Sequence, residues 1–374
     1  MRTGIYLNQL HGELRYKAFV SNPLPFEVRM DADLQSLLSK ADLAMGRLDS
    51  VADMFPHVDL FILMYVRKEA TLSSQIEGTQ ATFEDVLKAE ARIEDAEIHK
   101  DVHEVLNYIA AMNYGIERLK TLPLSLRLIR EIHEKLLQGV RGEHKHPGEF
   151  RTSQNWVGGA SLQTAVFIPP PKTEVMKLMG NLEEYLHHAS PVPILIKTGL
   201  IHAQFETIHP FLDGNGRIGR LLIAFYLYQQ GILRKPLLYV SDFFRMHRQA
   251  YYDKLNDFRE KDDIEGWLKF FLEGVITTSD KAVETARKII KLRENHVAKV
   301  ASLGRSAEKG MLLLNSLYRT PIVRVKDIEQ ITSLSNPNAL VLVSKFENLG
   351  ILKETTGQRR NRIYSYLDYI ALFS

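Results

Sequence analysis

The chain has 374 residues, 45% apolar and 25% charged, with a formal net charge of +3 and no cysteine. That composition excludes a disordered chain, a disulfide scaffold, thiolate catalysis and Cys-ligated zinc, and so small a charge makes no general case for nucleic acid. Apolar runs break well short of the roughly 20 residues a bilayer needs, and Met1–Arg15 has neither a basic leader nor a continuous apolar stretch, so a cytoplasmic protein without membrane segments is expected.

In chain order, most of the sequence reads as helix, because apolar residues recur at three- and four-residue steps. The first hundred residues read as a helical N-terminal region, in which Leu63, Met64 and Val66 lie on a helix that Gly78 can end. Thr82 with Asp85 has the form of a capping box, and Ser125 can cap a further stretch through Val140. From Gly148 to Pro171 the pattern changes to strand formers, Trp156, Val157, Val166, Phe167 and Ile168, around Gly158-Gly159, which predicts a short hairpin. Helices resume at Thr173, and Pro193–Thr207 runs into the loop His209–Arg220. The helix after it, Ile218–Gln230, is apolar on most sides and therefore buried.

Ile264 to about Val300 reads as a connecting helix. Beyond residue 306 come a helix containing Leu312–Tyr318, a short helix around Val325–Ile331, a turn at Ser333–Asn336, a helix over Pro337–Leu349, and two strands about the basic tip Gln358–Arg362. This order resembles a winged helix-turn-helix. Such units bind DNA through their second helix and wing, and a protein-interaction role stands open beside that one.

The chemistry concentrates in His209-Pro210-Phe211-Leu212-Asp213-Gly214-Asn215-Gly216-Arg217-Ile218-Gly219-Arg220. Pro210 stops the preceding helix and leaves the imidazole of His209 at its end. Gly214, Asn215 and Gly216 can all take positive φ, so their N–H groups can form an anion-binding nest opening a new helix. Arg217 and Arg220 share one face of that helix and lean toward its start. Asp213 adds a hard oxygen suited to Mg²⁺ on phosphates. A bare Asn-Gly hairpin turn leaves His209, Arg217 and Arg220 without a role. No P-loop and no His-Glu-x-x-His is present: His103-Glu104 and His133-Glu134 lack the second histidine, and Glu143-His144-Lys145-His146 reads as a solvated loop.

At these residues the sequence resembles the Fic family of protein adenylyltransferases, whose signature His-Pro-Phe-x-Asp/Glu-Gly-Asn-Gly-Arg-x-x-Arg is met at every fixed position. The likeness extends to His202–Ile208, to Gly148-Glu149-Phe150-Arg151, and to the hairpin ending Ile168-Pro169-Pro170, which resembles the family's target-aligning flap. It implies a mainly α fold with a Fic-type core, and a nucleotidyltransferase moving AMP from ATP to a Ser, Thr or Tyr hydroxyl of a target protein or of itself. It further implies His209 as base and Asp213 as the Mg²⁺ ligand. Gly214, Asn215, Gly216, Arg217, Ile218, Gly219 and Arg220 would lie along the phosphates. Tyr251 and Tyr252 match a position lining the adenine site, with core packing as their other reading, and Arg259 stands where some relatives carry Asn.

Ser73-Ser74-Gln75-Ile76-Glu77-Gly78 resembles the family's inhibitory motif, placed before the core. Glu77, one helical turn from Ser73, is expected to pair with Arg220 and deny it to the γ-phosphate. Self-association, as in a homodimer, could modulate this brake. The expected domains are an N-terminal helical region with the inhibitory motif at 1–104, a catalytic core with its connecting helix at 105–300, and a winged-helix-like domain at 301–374. Two other functions stay open: a DNA-binding regulator whose core senses nucleotide, and removal of AMP from modified targets.

Overall fold

The computed structural model describes all residues except 11–14, 55–57, 93–99, 141, 190, 359 and 374, with the backbone alone at 54 and 58–60. Arg359 of the predicted basic tip thus lies outside the described residues. The helices are α1 (Ala32–Met54), α2 (Val58–Ile76), α3 (Phe83–Glu90), α4 (Val102–Arg118), α5 (Leu126–Leu137), α6 (Lys172–His187), α7 (Ile194–Ile208), α8 (Asn215–Gln229), α9 (Ser241–Met246), α10 (Arg248–Glu260) and α11 (Ile264–Ala301). They are followed by α12 (Ala307–Leu317), α13 (Val325–Thr332), α14 (Asn336–Asn348) and α15 (Leu367–Ile370). Among the described residues no helix is long and apolar enough to cross a membrane. The chain clusters into two compact units. One comprises Met1–Asp49, Leu72–Thr79 and His103–Asp280, the other Ser50–Thr71, Gln80–Val102 and Lys281–Ser374.

The first unit is built on α7 and α8. Every residue of α7 after Ile194 is buried, so the polar ones must find partners inside. Thr198 and Thr207 donate to carbonyls one turn back, at 2.7 Å each, and Lys197 reaches the His188 carbonyl at 2.8 Å. The helices α6, α8 and α10 pack on α7, while α5 lies against α6 and α8. Glycine lets two neighbours come close: a Cβ at Gly115 on α4 would collide with the Phe225 ring, and Trp267 donates its indole N–H to the Gly199 carbonyl at 2.9 Å.

One expectation needs correcting here. The N-terminal region is not wholly helical: β1 (Gly4–Gln9) and β2 (Tyr16–Ser21) pair antiparallel, Gly4 opposite Ser21 and Gln9 opposite Tyr16. β2 buries Ala18 and Phe19, and its end is tied to α7 where Gln204 donates to Ser21 Oγ at 3.2 Å and to the Asn22 carbonyl at 3.1 Å. The segment from Gly148 to Pro171 turns back as expected, but its strand pairing shrinks to one bridge, Val157 with Phe167. Gly158 and Gly159 reverse the chain at φ +68° and +72°, and Thr164 Oγ accepts the N–H groups of Ala160 and Ser161, so the tip forms a turn of its own. Ile168 then accepts the N–H of Phe19 at 3.0 Å, which seats this flap on β2.

The second unit contains α3, opened by the expected capping box between Thr82 and Asp85. Its C-terminal portion runs α12, β3 (Ile322–Arg324), α13, α14, β4 (Lys353–Glu354), β5 (Ile363–Ser365), with antiparallel sheet order β3-β5-β4. Ser333 at φ 54° breaks α13 from α14. Leu340 and Val341 on α14 are exposed, although both are large and apolar.

Candidate active site

The loop between α7 and α8 begins with a strained residue. His209 caps α7 in the left-handed region, φ 49° and ψ 59°, where a side chain costs on the order of 1 kcal/mol or more. Its surroundings hold it there. Arg151 donates Nε to the His209 carbonyl at 3.0 Å, Asn155 Nδ2 adds a bond at 3.3 Å, and the Arg151 N–H binds the Pro210 carbonyl at 2.8 Å. The Asn215 side chain laces the loop from the other end, accepting the Phe211 N–H and donating to the Phe211 carbonyl, both at 2.8 Å. Asn215 therefore braces the turn with its side chain and leaves only its backbone for an anion.

Helix α8 starts at Asn215, earlier than the expected Ile218, because Gly214 at φ 76° turns the chain straight into it. Arg217 and Arg220 consequently stand in its first two turns. Arg217 is 3.3 Å from Asp213 Oδ1 and 3.4 Å from Glu104 Oε2, and its Nε is buried without a partner among the described residues. Glu104 on α4 is a neighbour that the sequence did not suggest; it also takes a hydrogen bond from Thr79 at 3.4 Å. Asp213 is partly exposed and engages the Gly214 N–H through Oδ1 at 2.6 Å, which leaves its second oxygen for a cation.

Arg220 is held through Nε and Nη2 by the end of α2 and Glu77 just beyond it. Its Nε donates to Ser73 Oγ at 2.8 Å, and its Nη2 to the Ser73 carbonyl at 3.0 Å and to Glu77 Oε1 at 2.8 Å. Ser73 thus serves the arginine directly, through its hydroxyl and its carbonyl. The arginine side chain is 1% exposed and that of Glu77 34%, so the acid is the half of the pair that can leave. Burial works against the charge on Glu77, but the adjacent Arg220 overrides it and holds the carboxyl below its ordinary range. A Cβ on Gly216 would collide with this carboxylate. The Glu77 carboxylate therefore sits against the opening turn of α8. Gly78, at φ +100°, lets the chain turn away directly afterwards.

The His209 Nδ1 is shielded from solvent and unpartnered among the described residues. Burial, then Arg151, lowers its pKa to about 4, so the ring is neutral near pH 7. Not every expected site residue reaches the loop's mouth. Ile218 packs into the core with its N–H on the Gly214 carbonyl, and Gly219 backs onto Glu206 and gives its carbonyl to His202 at 2.9 Å. Tyr251 is buried, with its hydroxyl on His202 at 2.9 Å and its ring stacked on Phe244 at 4.4 Å, which is the core-packing role. Tyr252 stays partly open beside Arg248. Arg259 lies over the Phe167 ring of the flap at 3.7 Å.

The sequence and the fold of the chain match those of known proteins. Residues 123–227 match the sequence model of the Fic/DOC family, and residues 35–117 match that of the Fic/DOC family N-terminal region. The chain is a Fic/DOC-domain protein. A Fic family protein from Desulfovibrio desulfuricans has the same fold, with TM-score 0.60 and 20% identity over 91% of this chain and 97% of that one. A Fic domain containing signaling protein from Bacteroides thetaiotaomicron gives TM-score 0.52 over 68% and 97%. In sequence, the chain is 31% identical over 180 residues to a "Probable protein adenylyltransferase" of Aquifex aeolicus, covering 46% of this chain and 51% of that one. It is 32% identical over 183 residues to the "Protein adenylyltransferase Fic" of Aedes aegypti, covering 48% and 33%. The chain spans about half or less of the length of these relatives.

Proposed function

We propose that this Fic chain transfers AMP from ATP to a hydroxyl side chain of a target protein, itself included, and that Glu77 holds it at rest. One observation carries the proposal: the anion-binding start of α8 already holds an anion, the Glu77 carboxylate, on Arg220 and against Gly216. Phosphate suits the same donors, and the unpartnered Nε of Arg217 adds another.

The chemistry follows from the groups present. A target hydroxyl attacks the α-phosphorus of ATP, and the neutral His209 takes its proton. A new O–P bond forms while the bond to the departing pyrophosphate breaks. Arg217 and, once Glu77 withdraws, Arg220 hold the outer phosphates as negative charge builds on the leaving group. Asp213 would hold Mg²⁺, which supplies charge neutralisation at the phosphates when bound. The flap over Val157–Phe167 offers the target a short edge beside His209, and Tyr252 is the tyrosine open enough to border a base.

Residues 301–374 act, on this proposal, as a winged helix devoted to protein contact. The order α12-β3-α13-α14-β4-β5 supports the fold, and the exposed apolar Leu340 and Val341 on α14 favour a protein partner. The exposed Arg360 and Arg362 are what a DNA-binding regulator would draw on.

Intact mass after incubation with ATP and Mg²⁺ tests the activity. Glu77→Gly protein is expected to gain AMP, Glu77→Gly/His209→Ala to gain none, and the parent to lie far below the released variant. No added mass in Glu77→Gly, although it binds ATP, would sink the transferase.

A further inference from the structure

We infer that His133, outside the signature, is a positioning residue that locks the carbonyl of Asp213 to the strap beginning at Gly148, and so sets the phosphate loop for the transfer proposed above. The inference rests on that function, but its geometry stands apart from it. His133 lies on α5 with no exposed surface. The Gly148 N–H donates to its Nδ1 at 2.8 Å, and its Nε2 lies 3.0 Å from the Asp213 carbonyl oxygen. A backbone N–H can only donate and a carbonyl can only accept, so the ring is neutral with its proton on Nε2. One tautomer serves both bonds.

Those bonds tie together two segments that carry the candidate site. On the loop side, the Asp213 carbonyl precedes the φ 76° turn at Gly214, and a Cβ at Gly214 would lie 3.5 Å from the His133 ring. On the strap side, Gly148 leads to Arg151, whose guanidinium holds the carbonyls of His209 and Pro170. Phe211 stacks on the His133 ring at 3.7 Å and 8°. The ring therefore fixes where the Asp213 backbone stands relative to the strap that holds His209 in its left-handed turn. A helical His-Glu pair without a second histidine has no metal-site signature, yet the His133 ring by itself supplies a rigid two-ended connector.

The test uses the full chain carrying Glu77→Gly. His133→Phe keeps an aromatic on Phe211 and removes both bonds; His133→Gln keeps a donor at the distal position; His133→Asn keeps polarity only at the proximal one. Binding of ATP at saturating Mg²⁺ is followed by calorimetry, the Mg²⁺ dependence of that binding by titration, and AMP transfer by mass. For His133→Phe, ATP binding is expected to weaken roughly tenfold, the scale of one buried hydrogen bond, with the Mg²⁺ midpoint moving up in step. His133→Gln should recover most of the loss and His133→Asn little of it. A folded His133→Phe protein that binds ATP and Mg²⁺ like its parent overturns the proposal. If His133→Phe does not fold, equal binding by the Gln and Asn variants overturns it instead. The ring itself is read without nucleotide: long-range nitrogen–proton spectra must show the Nε2-protonated form. A proton on Nδ1 defeats the positioning role whether or not AMP is transferred, whereas a correct tautomer in a protein that transfers nothing defeats only the transferase.

Discussion

At the scale of single residues, His209 pairs a costly backbone conformation with a ring that resists protonation. The cationic ring would have to give up its hydration and sit near Arg151, so the equilibrium favours the neutral form, and the pKa falls to about 4. The nucleotide-free protein should therefore show a His209 ring that stays neutral from pH 8 to pH 5 in NMR titration. A ring that protonates near its ordinary value would mean that the site is wetter than the structure has it. Asn215 gives a second prediction. In Asn215→Ala the Phe211 carbonyl keeps Asn155 Nδ2 at 2.9 Å, but the Phe211 N–H loses its acceptor in the interior. One orphaned buried donor costs about 1–3 kcal/mol, so urea unfolding should show a loss in that range and ATP binding should fall with it. An Ala variant of unchanged stability would mean that the turn holds without its lacing.

At the scale of elements, α4 and α8 approach because residue 115 has no side chain. Gly115→Ala improves helix propensity by about 1 kcal/mol, yet its Cβ would meet three atoms of the rigid Phe225 ring. Overpacking of this kind costs about 1–3 kcal/mol, so the variant should unfold earlier in thermal melts, and Phe225→Leu added to it should recover part of the loss. The same elements show what the sequence could and could not tell. The buried α7 and α8, the capping box at Thr82, the Ser125 cap and the loop residues 209–220 were legible because each rests on local spacing. The β1–β2 pair was not, because its register depends on contacts such as Gln204 with Ser21, 183 positions apart. Arg151, Asn155 and His133 escaped for the same reason: nothing near them in sequence tells that their partners are backbone atoms of a distant turn. Glu77 on Arg220 was legible only through resemblance, since neither residue alone points to the other.

For the whole molecule, the buried titratable groups set how stability must change with pH. Burial lowers His133 and His209 to about 4 and His202 to about 3, and raises Glu206 to about 7. Each histidine is neutral in the folded chain but takes a proton near pH 6.5 once unfolded, so its contribution is complete above that pH and is lost as pH falls toward the folded value. Glu206 acts in the opposite sense: its folded pKa lies above the ordinary value of 4.5, so its contribution is present at low pH and lost as pH rises through about 7. Near pH 5.5 these four groups together take up three protons on histidines and release one from Glu206 on unfolding, a net uptake of two that makes stability rise with pH by about 2.7 kcal/mol per unit, and His296, lowered by burial as well, adds in the same sense. Urea midpoints measured from pH 7.5 to pH 5 should decline with that slope, steepest below pH 6.5. Glu206→Gln removes the opposing proton while keeping the shape, which should steepen the decline to about 4 kcal/mol per unit. A flat profile in the parent would show the histidines to be solvated or paired with acids, and a slope unmoved by Glu206→Gln would show that this carboxyl is already ionised in the fold, held by Arg220 and Arg259.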